Sequence, residues 1–296
     1  MSVPKPGGAS YVVDAGLETE LIYRHGFELP EFAAFPLLED EHGRAVLGDY
    51  YAEFAAIATK AGAGLMLNAP TWRANATWGK LIGYDVAALD RVNRDGIAFM
   101  RQLAGQWPDL DIAIAGDIGP LGDAYTASPD SDASLFRGQL ESFLEAGADL
   151  ADALTFPSAG EAVGLVRASN EIGLPVGVSF TVEADGALPD GTSLATAVAQ
   201  VLDEGEVAYF GINCAHPTHI ANGLTGGDWV SHIAQIRPNA STKTHAELDR
   251  MEELDAGDIA ELTSTLDALR PYLPGLSVIG GCCGTGPRHV AALWGV

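Results

Sequence analysis

Eight short apolar runs, each followed by small or polar residues and parted from the next by a helical pattern, predict an α/β fold. The architecture expected is a closed parallel (β/α)8 TIM barrel, a single domain over residues 1–296. The runs are continuous rather than alternating, as for strands buried on both faces. The length suits one large α/β domain. A doubly wound sheet is the competing fold, but no Gly-x-Gly-x-x-Gly follows the first run.

The first strand is read at Tyr11 to Val13, before Asp14-Ala15-Gly16, and the second at Gly64 to Leu67, before Asn68-Ala69-Pro70. The next three are Ile112 to Ala115, Asp149 to Leu154 and Val176 to Val182. Val207 to Ile212 runs into Asn213-Cys214, a weaker candidate surrounds Ile236, and Leu276 to Ile279 runs into Gly280-Gly281-Cys282-Cys283. Helices are expected over Leu47 to Lys60, Val92 to Leu103, Leu135 to Leu144, Glu161 to Ser169, Ser193 to Leu202 and Ile259 to Leu269. In the first of these, Tyr50, Tyr51, Phe54 and Ile57 share one face. The stretch from Asn213 to Asp249, rich in Thr, Gly, His and Asn, reads as long loops over one end of the barrel.

The formal charge of −24 disfavours nucleic acid and anionic membrane surfaces as partners, and its plain reading is solubility. No uninterrupted apolar run approaches the length of a membrane span. The start, MSVPKPGGASY, lacks the apolar core of a signal peptide, so a cytoplasmic location is expected. The sequence is compatible with a homo-oligomer and does not fix the number of copies.

Three cysteines cannot form a closed disulfide framework. Cys214 follows the sixth predicted strand, and Cys282 and Cys283 follow the eighth. In a barrel those strands are near neighbours, and active sites form where strands end. Three thiolates suit tetrahedral zinc and leave one position open, the pattern of a catalytic site. Gly280, Gly281 and Gly284 permit the sharp turn that adjacent ligands require. Packing cysteines, a Cys282–Cys283 disulfide and a glycine-rich phosphate cradle at 280–286 are the alternatives. His216 and His219 are rival ligands or loop residues; the other histidines, His245 among them, carry no pattern. Only Lys60, Lys80 and Lys243 fall within the barrel, none at a clear strand end, which weakens a Schiff-base lyase.

Gly211-Ile212-Asn213-Cys214 and Gly280-Gly281-Cys282-Cys283-Gly284-Thr285, in this order and separation, resemble the homocysteine S-methyltransferase family. Softer similarity covers Asp14 to Leu21, Ala61 to Asn75, Ala115 to Pro120 and Pro238-Asn239. The resemblance implies a (β/α)8 barrel, Zn²⁺ on Cys214, Cys282 and Cys283, and an acceptor thiol in the open position. It further implies methyl transfer from an onium donor (S-methylmethionine, S-adenosylmethionine or a betaine-like compound) to homocysteine, giving methionine. Asp14 matches an acidic residue that holds the amino-acid substrate; its plainer reading is a turn former. Where the family pattern reads Phe-Glu-Thr after the fourth strand, this chain has Ala153-Leu154-Thr155, so the carboxylate that meets the substrate ammonium is replaced by Leu154. Asp152 lies two residues earlier and is expected deeper in the barrel; Glu18 is a candidate displaced carboxylate.

A free thiol near neutral pH is mostly protonated, and metal coordination makes it the reactive thiolate. Trp72, after the second strand, and Tyr125, after the third, are candidate cation–π contacts for the onium group. Asn213 is a further candidate for substrate binding. A chain of this length leaves no room for a cobalamin domain after the barrel, so a diffusible donor is expected. Other thiols or selenols as acceptors, and a non-catalytic zinc-binding barrel, are the competing functions.

Overall fold

A computed structural model describes residues 3–126, 132–248, 250, 251 and 253–296. Met1 and Ser2 of the N-terminal reading and Asp249 of the loose stretch lie outside the described residues. Eight parallel strands close into a barrel in sequence order. They are β1 (Tyr11–Val12), β2 (Gly64–Ala69), β3 (Ile112–Ile118), β4 (Leu150–Phe156), β5 (Val176–Phe180), β6 (Tyr209–Asn213), β7 (Ile233–Arg237) and β8 (Val278–Ile279). β1 closes the ring against β8 through Tyr11↔Val278 and Val12↔Ile279. All eight expected strands are present, and the weak candidate around Ile236 is β7, inside the stretch read as loops.

The six expected helices occupy Glu41–Ala61, Val86–Ala104, Ser134–Ala146, Ala159–Ile172, Leu194–Leu202 and Ile259–Leu269. The first starts earlier than its apolar stripe because Asp40 caps it, accepting the Gly43 N–H at 2.9 Å. It stops at Gly62, whose φ of 64° suits a glycine. Its buried stripe contains Tyr50, Tyr51, Phe54 and Ile57, as the spacing predicts. Short helices at Leu17–Tyr23, Ala76–Leu81, Pro217–Gly223 and Pro287–Trp294 escaped the sequence reading because each spans too few turns for a periodic signal. No helix among the described residues is long and apolar enough to cross a membrane.

Two apolar layers result. One fills the space between strands and helices; the other packs Tyr11, Val13, Met66, Ala113, Ala115, Leu150, Tyr209, Ala234 and Val278 together. A buried polar layer joins four strands through Asp152. Its carboxylate accepts from Asn68 Nδ2 at 2.8 Å, Tyr209 Oη at 2.8 Å and Gln235 Nε2 at 3.1 Å. Gly177 makes this possible: a Cβ there would stand 2.2 Å from Tyr209 Cζ.

Candidate active site and metal centre

β6 delivers Cys214 in a left-handed turn, φ 56°, which is uncommon for a side chain other than glycine. The turn is pinned on both sides. Cys214 N–H donates to Arg237 O at 3.0 Å, and the Cys214 carbonyl lies 2.7 Å from His245 Nε2. β8 delivers the cysteine pair through Gly280-Gly281. Gly281 N–H donates to Asp14 O at 2.8 Å, and a Cβ on Gly281 would stand 2.0 Å from Thr285 Oγ1. Cys282 N–H then donates to Pro238 O at 2.9 Å, and Cys283 O accepts Ala240 N–H at 3.2 Å. The tail of β7 thus holds both cysteine turns.

The three sulfurs lie within 4.8 Å of one another, and all three cysteines are free thiols. Cys214 Sγ and Cys283 Sγ are 3.7 Å apart. Two sulfurs bonded to one tetrahedral zinc at about 2.3 Å would stand about 3.8 Å apart, so the spacing fits the ion. His216 and His219 do not join the group. His216 Nδ1 instead accepts from Thr218 N at 3.3 Å and caps Pro217–Gly223. Bonds from the Cys282 and Cys283 thiols and the Tyr125 hydroxyl hold the Cys214 pKa well below the ordinary thiol value, against burial. Cys282 is pushed up to about 12 and Cys283 well above its usual value, first because each hydrogen-bonds to Cys214.

These sulfurs form one wall of a cavity of about 270 Å³ at the ends of the strands. Asp14, Glu18, Trp72, Tyr125 and Asn213 also line it, whereas Asp152, His216 and His219 do not. Asn213 ties β6 to β4: its Oδ1 accepts Thr155 N–H and its Nδ2 donates to Thr155 Oγ1, each at 2.7 Å. The same Nδ2 lies 3.7 Å from Cys282 Sγ. Tyr125 Oη is 3.3 Å from Cys214 Sγ, and its ring stacks on His245 with centroids 3.8 Å apart. Trp72 Nε1 donates to Leu154 O at 3.2 Å, and Arg73 lies over the Trp72 ring, 4.4 Å from its centroid. Part of each aromatic surface is therefore already taken by the protein. Leu154 is buried and lines the cavity, so no carboxylate occupies that position. Asp152 sits in the polar layer and is absent from the cavity wall.

Arg237, at the end of β7, was not singled out from the sequence. Its guanidinium is buried, pairs with Asp14 Oδ1, and donates from Nε to Gly281 O at 3.0 Å. Burial pushes the Asp14 pKa up to about 6 despite Arg237, and burial pushes Glu18 up to about 7. Burial opposes the charge on Arg237, but Asp14, Asp152 and Asp117 outweigh it and raise its pKa. Asp117 lies on β3 and lines the cavity, and burial raises its pKa well above the usual range. A charge at a predicted strand end was the available signal for Arg237, and Asp117 stood in the quoted AGDIGP stretch. His245 gave no signal: it meets Cys214 and Tyr125 only through the fold.

A family model described as homocysteine S-methyltransferase matches residues 11–295. Homocysteine S-methyltransferase YbgG of Bacillus subtilis (strain 168) is 26% identical over 194 residues, 60% of this chain and 59% of that protein. Methionine synthase of Mycobacterium tuberculosis is 30% identical over 233 residues, 70% of this chain and 18% of that much longer protein. The chain thus spans less than two thirds of the curated relatives it matches. Among solved structures, the metallated form of the homocysteine methyltransferase MmuM from Escherichia coli shares the fold. Its TM-score is 0.72 at 23% identity, covering 97% of this chain and 96% of that one. With a barrel of the same topology, a family match over nearly its whole length and three cysteines gathered at the strand ends, this chain belongs to the homocysteine S-methyltransferase family.

Proposed function

We propose that this protein transfers a methyl group from an onium donor to a thiol, with homocysteine as acceptor and methionine as product. The observation that carries the reading is the three-sulfur cluster in the wall of an acidic, partly enclosed cavity. Cys214, Cys282 and Cys283 would hold Zn²⁺, which when bound would acidify the acceptor thiol and keep its sulfur available as a nucleophile. Attack forms a new S–C bond as the donor's bond to the same carbon breaks; the methyl moves as a cation equivalent and the donor leaves neutral.

The chain's own residues set the reaction up. Asn213 and Tyr125 contact the cysteine sulfurs and fix their orientation. Asp14 and Glu18 place negative charge where a cationic donor and an ammonium group must enter. Trp72 and Tyr125 present the remaining aromatic surface to the onium methyls. Reaction requires the acceptor sulfur and the donor methyl to be held about 3–3.5 Å apart, a placement that would fall to the cavity walls. Leu154 supports a second reading, in which the same metal chemistry serves a different thiol or selenol.

The test is a donor-by-acceptor matrix. S-methylmethionine, S-adenosylmethionine and betaine are crossed with homocysteine, selenohomocysteine, cysteine and simple thiols, and bound zinc is measured in parallel. Methionine formation from at least one donor supports the reading. Stoichiometric zinc with no turnover on any pair overturns it.

A further inference from the structure

Buried polar atoms without a hydrogen-bond partner gather at the cavity. Asp117 Oδ1, Arg237 Nη1, Arg73 Nε and Asn68 Oδ1 all belong to residues of its wall. Native interiors leave few such atoms unpaired, so a set of them on residues that line one cavity needs a partner that enters it, water or ligand. Two of them carry opposite charge. The Arg237 side chain is 95% buried; its Nε and Nη2 are engaged, while Nη1 has only Asp152 Oδ2 at 3.9 Å. Asp117 Oδ1 is sealed from solvent with nothing bonded to it.

Strand register places Asp117 beside the missing family carboxylate. Asp117 on β3 pairs in register with Asp152 on β4. Side chains two apart on a strand share a face, so Leu154 lies on the side that Asp152 and Asp117 share. Asp117 therefore stands on the adjacent strand, one rung below Leu154, toward the same interior. The other carboxylates are less suited. Asp14 is held by Arg237, and Asp152 is filled by Asn68, Tyr209 and Gln235. Glu18 lies in the first turn of the short helix Leu17–Tyr23 and is partly open to solvent.

We propose that Asp117 supplies the carboxylate lost at position 154, binding the ammonium of an α-amino-acid thiol whose own carboxylate reaches Arg237. Asp117 is thus a specificity-determining residue. The inference rests on the proposed methylation of homocysteine and adds the residue that recognises the acceptor's ammonium.

The test compares L-homocysteine with 4-sulfanylbutanoate, which keeps the thiol and carboxylate and lacks only the ammonium. Dissociation constants are read by calorimetry on reduced, zinc-loaded protein. Wild type should prefer homocysteine by about tenfold or more. In Asp117→Asn that preference should fall to about twofold or less through weaker homocysteine binding alone, with the thermal melt confirming the fold. Asp117→Ser should repeat the result if the Asn variant misfolds, and Leu154→Glu added to either should restore the preference. A preference that survives in both Asp117 variants, or that disappears in Glu18→Gln instead, overturns the assignment and leaves thiol methylation standing. Wild type that binds no thiol removes both.

Discussion

At the scale of single residues, the chemistry is concentrated in three sulfurs and a few buried charges. Cys214→Ser, Cys282→Ser or Cys283→Ser replaces a soft thiolate by a hard hydroxyl, which zinc accepts poorly. Each is expected to lose bound zinc and to cut methyl transfer by a factor of about 100 or more, read by metal analysis and a methionine assay. The Asp14–Arg237 pair is buried on both sides, so removing one partner strands the other charge. Asp14→Ala should cost about 3–5 kcal/mol in denaturant unfolding. Glu18 offers a pH-dependent check. Its carboxyl titrates near the usual 4.5 in the unfolded chain and at about 7 in the folded one. Between those values the folded state binds more protons, so its contribution to stability falls as pH rises and the penalty is full above about 7. Allowing for its partial exposure, Glu18→Gln should stabilise the protein by about 1–2 kcal/mol near pH 8 and by almost nothing near pH 4, measured by melting at both.

At the scale of elements, the site depends on backbone turns as much as on side chains. The loop after β1 packs against the cysteine turn after β8. A Cβ on Gly16 would stand 2.6 Å from Cys282 O and 2.5 Å from Thr19 Oγ1. Backbone cannot yield as a side-chain tip can, so Gly16→Ala should displace the Cys282 turn. The expected outcome is zinc affinity weakened by about tenfold or more, with far-ultraviolet circular dichroism unchanged. The left-handed residues Cys214 and Thr155 share this logic: both follow or end inward-facing strands, and Asn213 bridges between their turns. Their conformations are maintained by neighbours on β4, β6 and β7 rather than by local preference.

At the scale of the whole molecule, metal binding, protonation and folding are one linked equilibrium. Hydrogen bonds to Cys214 push the Cys282 and Cys283 thiols up, so loading zinc, which binds thiolates, should release protons in a measurable number per ion. Calorimetry in buffers of different ionisation enthalpy gives that number, and zinc affinity should rise with pH. Because the ligands come from β6 and β8, the ion would bind the folded barrel in preference to the open chain. Saturation at about a thousandfold above Kd would add about 4 kcal/mol, so chelation should lower the melting temperature by several degrees.

The barrel was legible in the sequence because its signals are local. Buried parallel strands must be continuous apolar runs, helices must carry a stripe, and both periods can be read within a dozen residues. The cysteines were legible because strand ends in this fold face the site, so their positions along the chain implied their convergence. The roles of Arg237, Asp117 and His245 were decided only in three dimensions. Arg237 meets Asp14 across 223 positions of sequence, and His245 meets Tyr125 in a ring stack. Asp117 faces the cavity through its register with β4. Such pairings come from barrel closure and strand register, which bring distant segments into hydrogen-bonding range and leave no local period in the chain. Composition and spacing therefore determined the fold and the metal ligands, while tertiary packing decided which buried charges share the cavity with them.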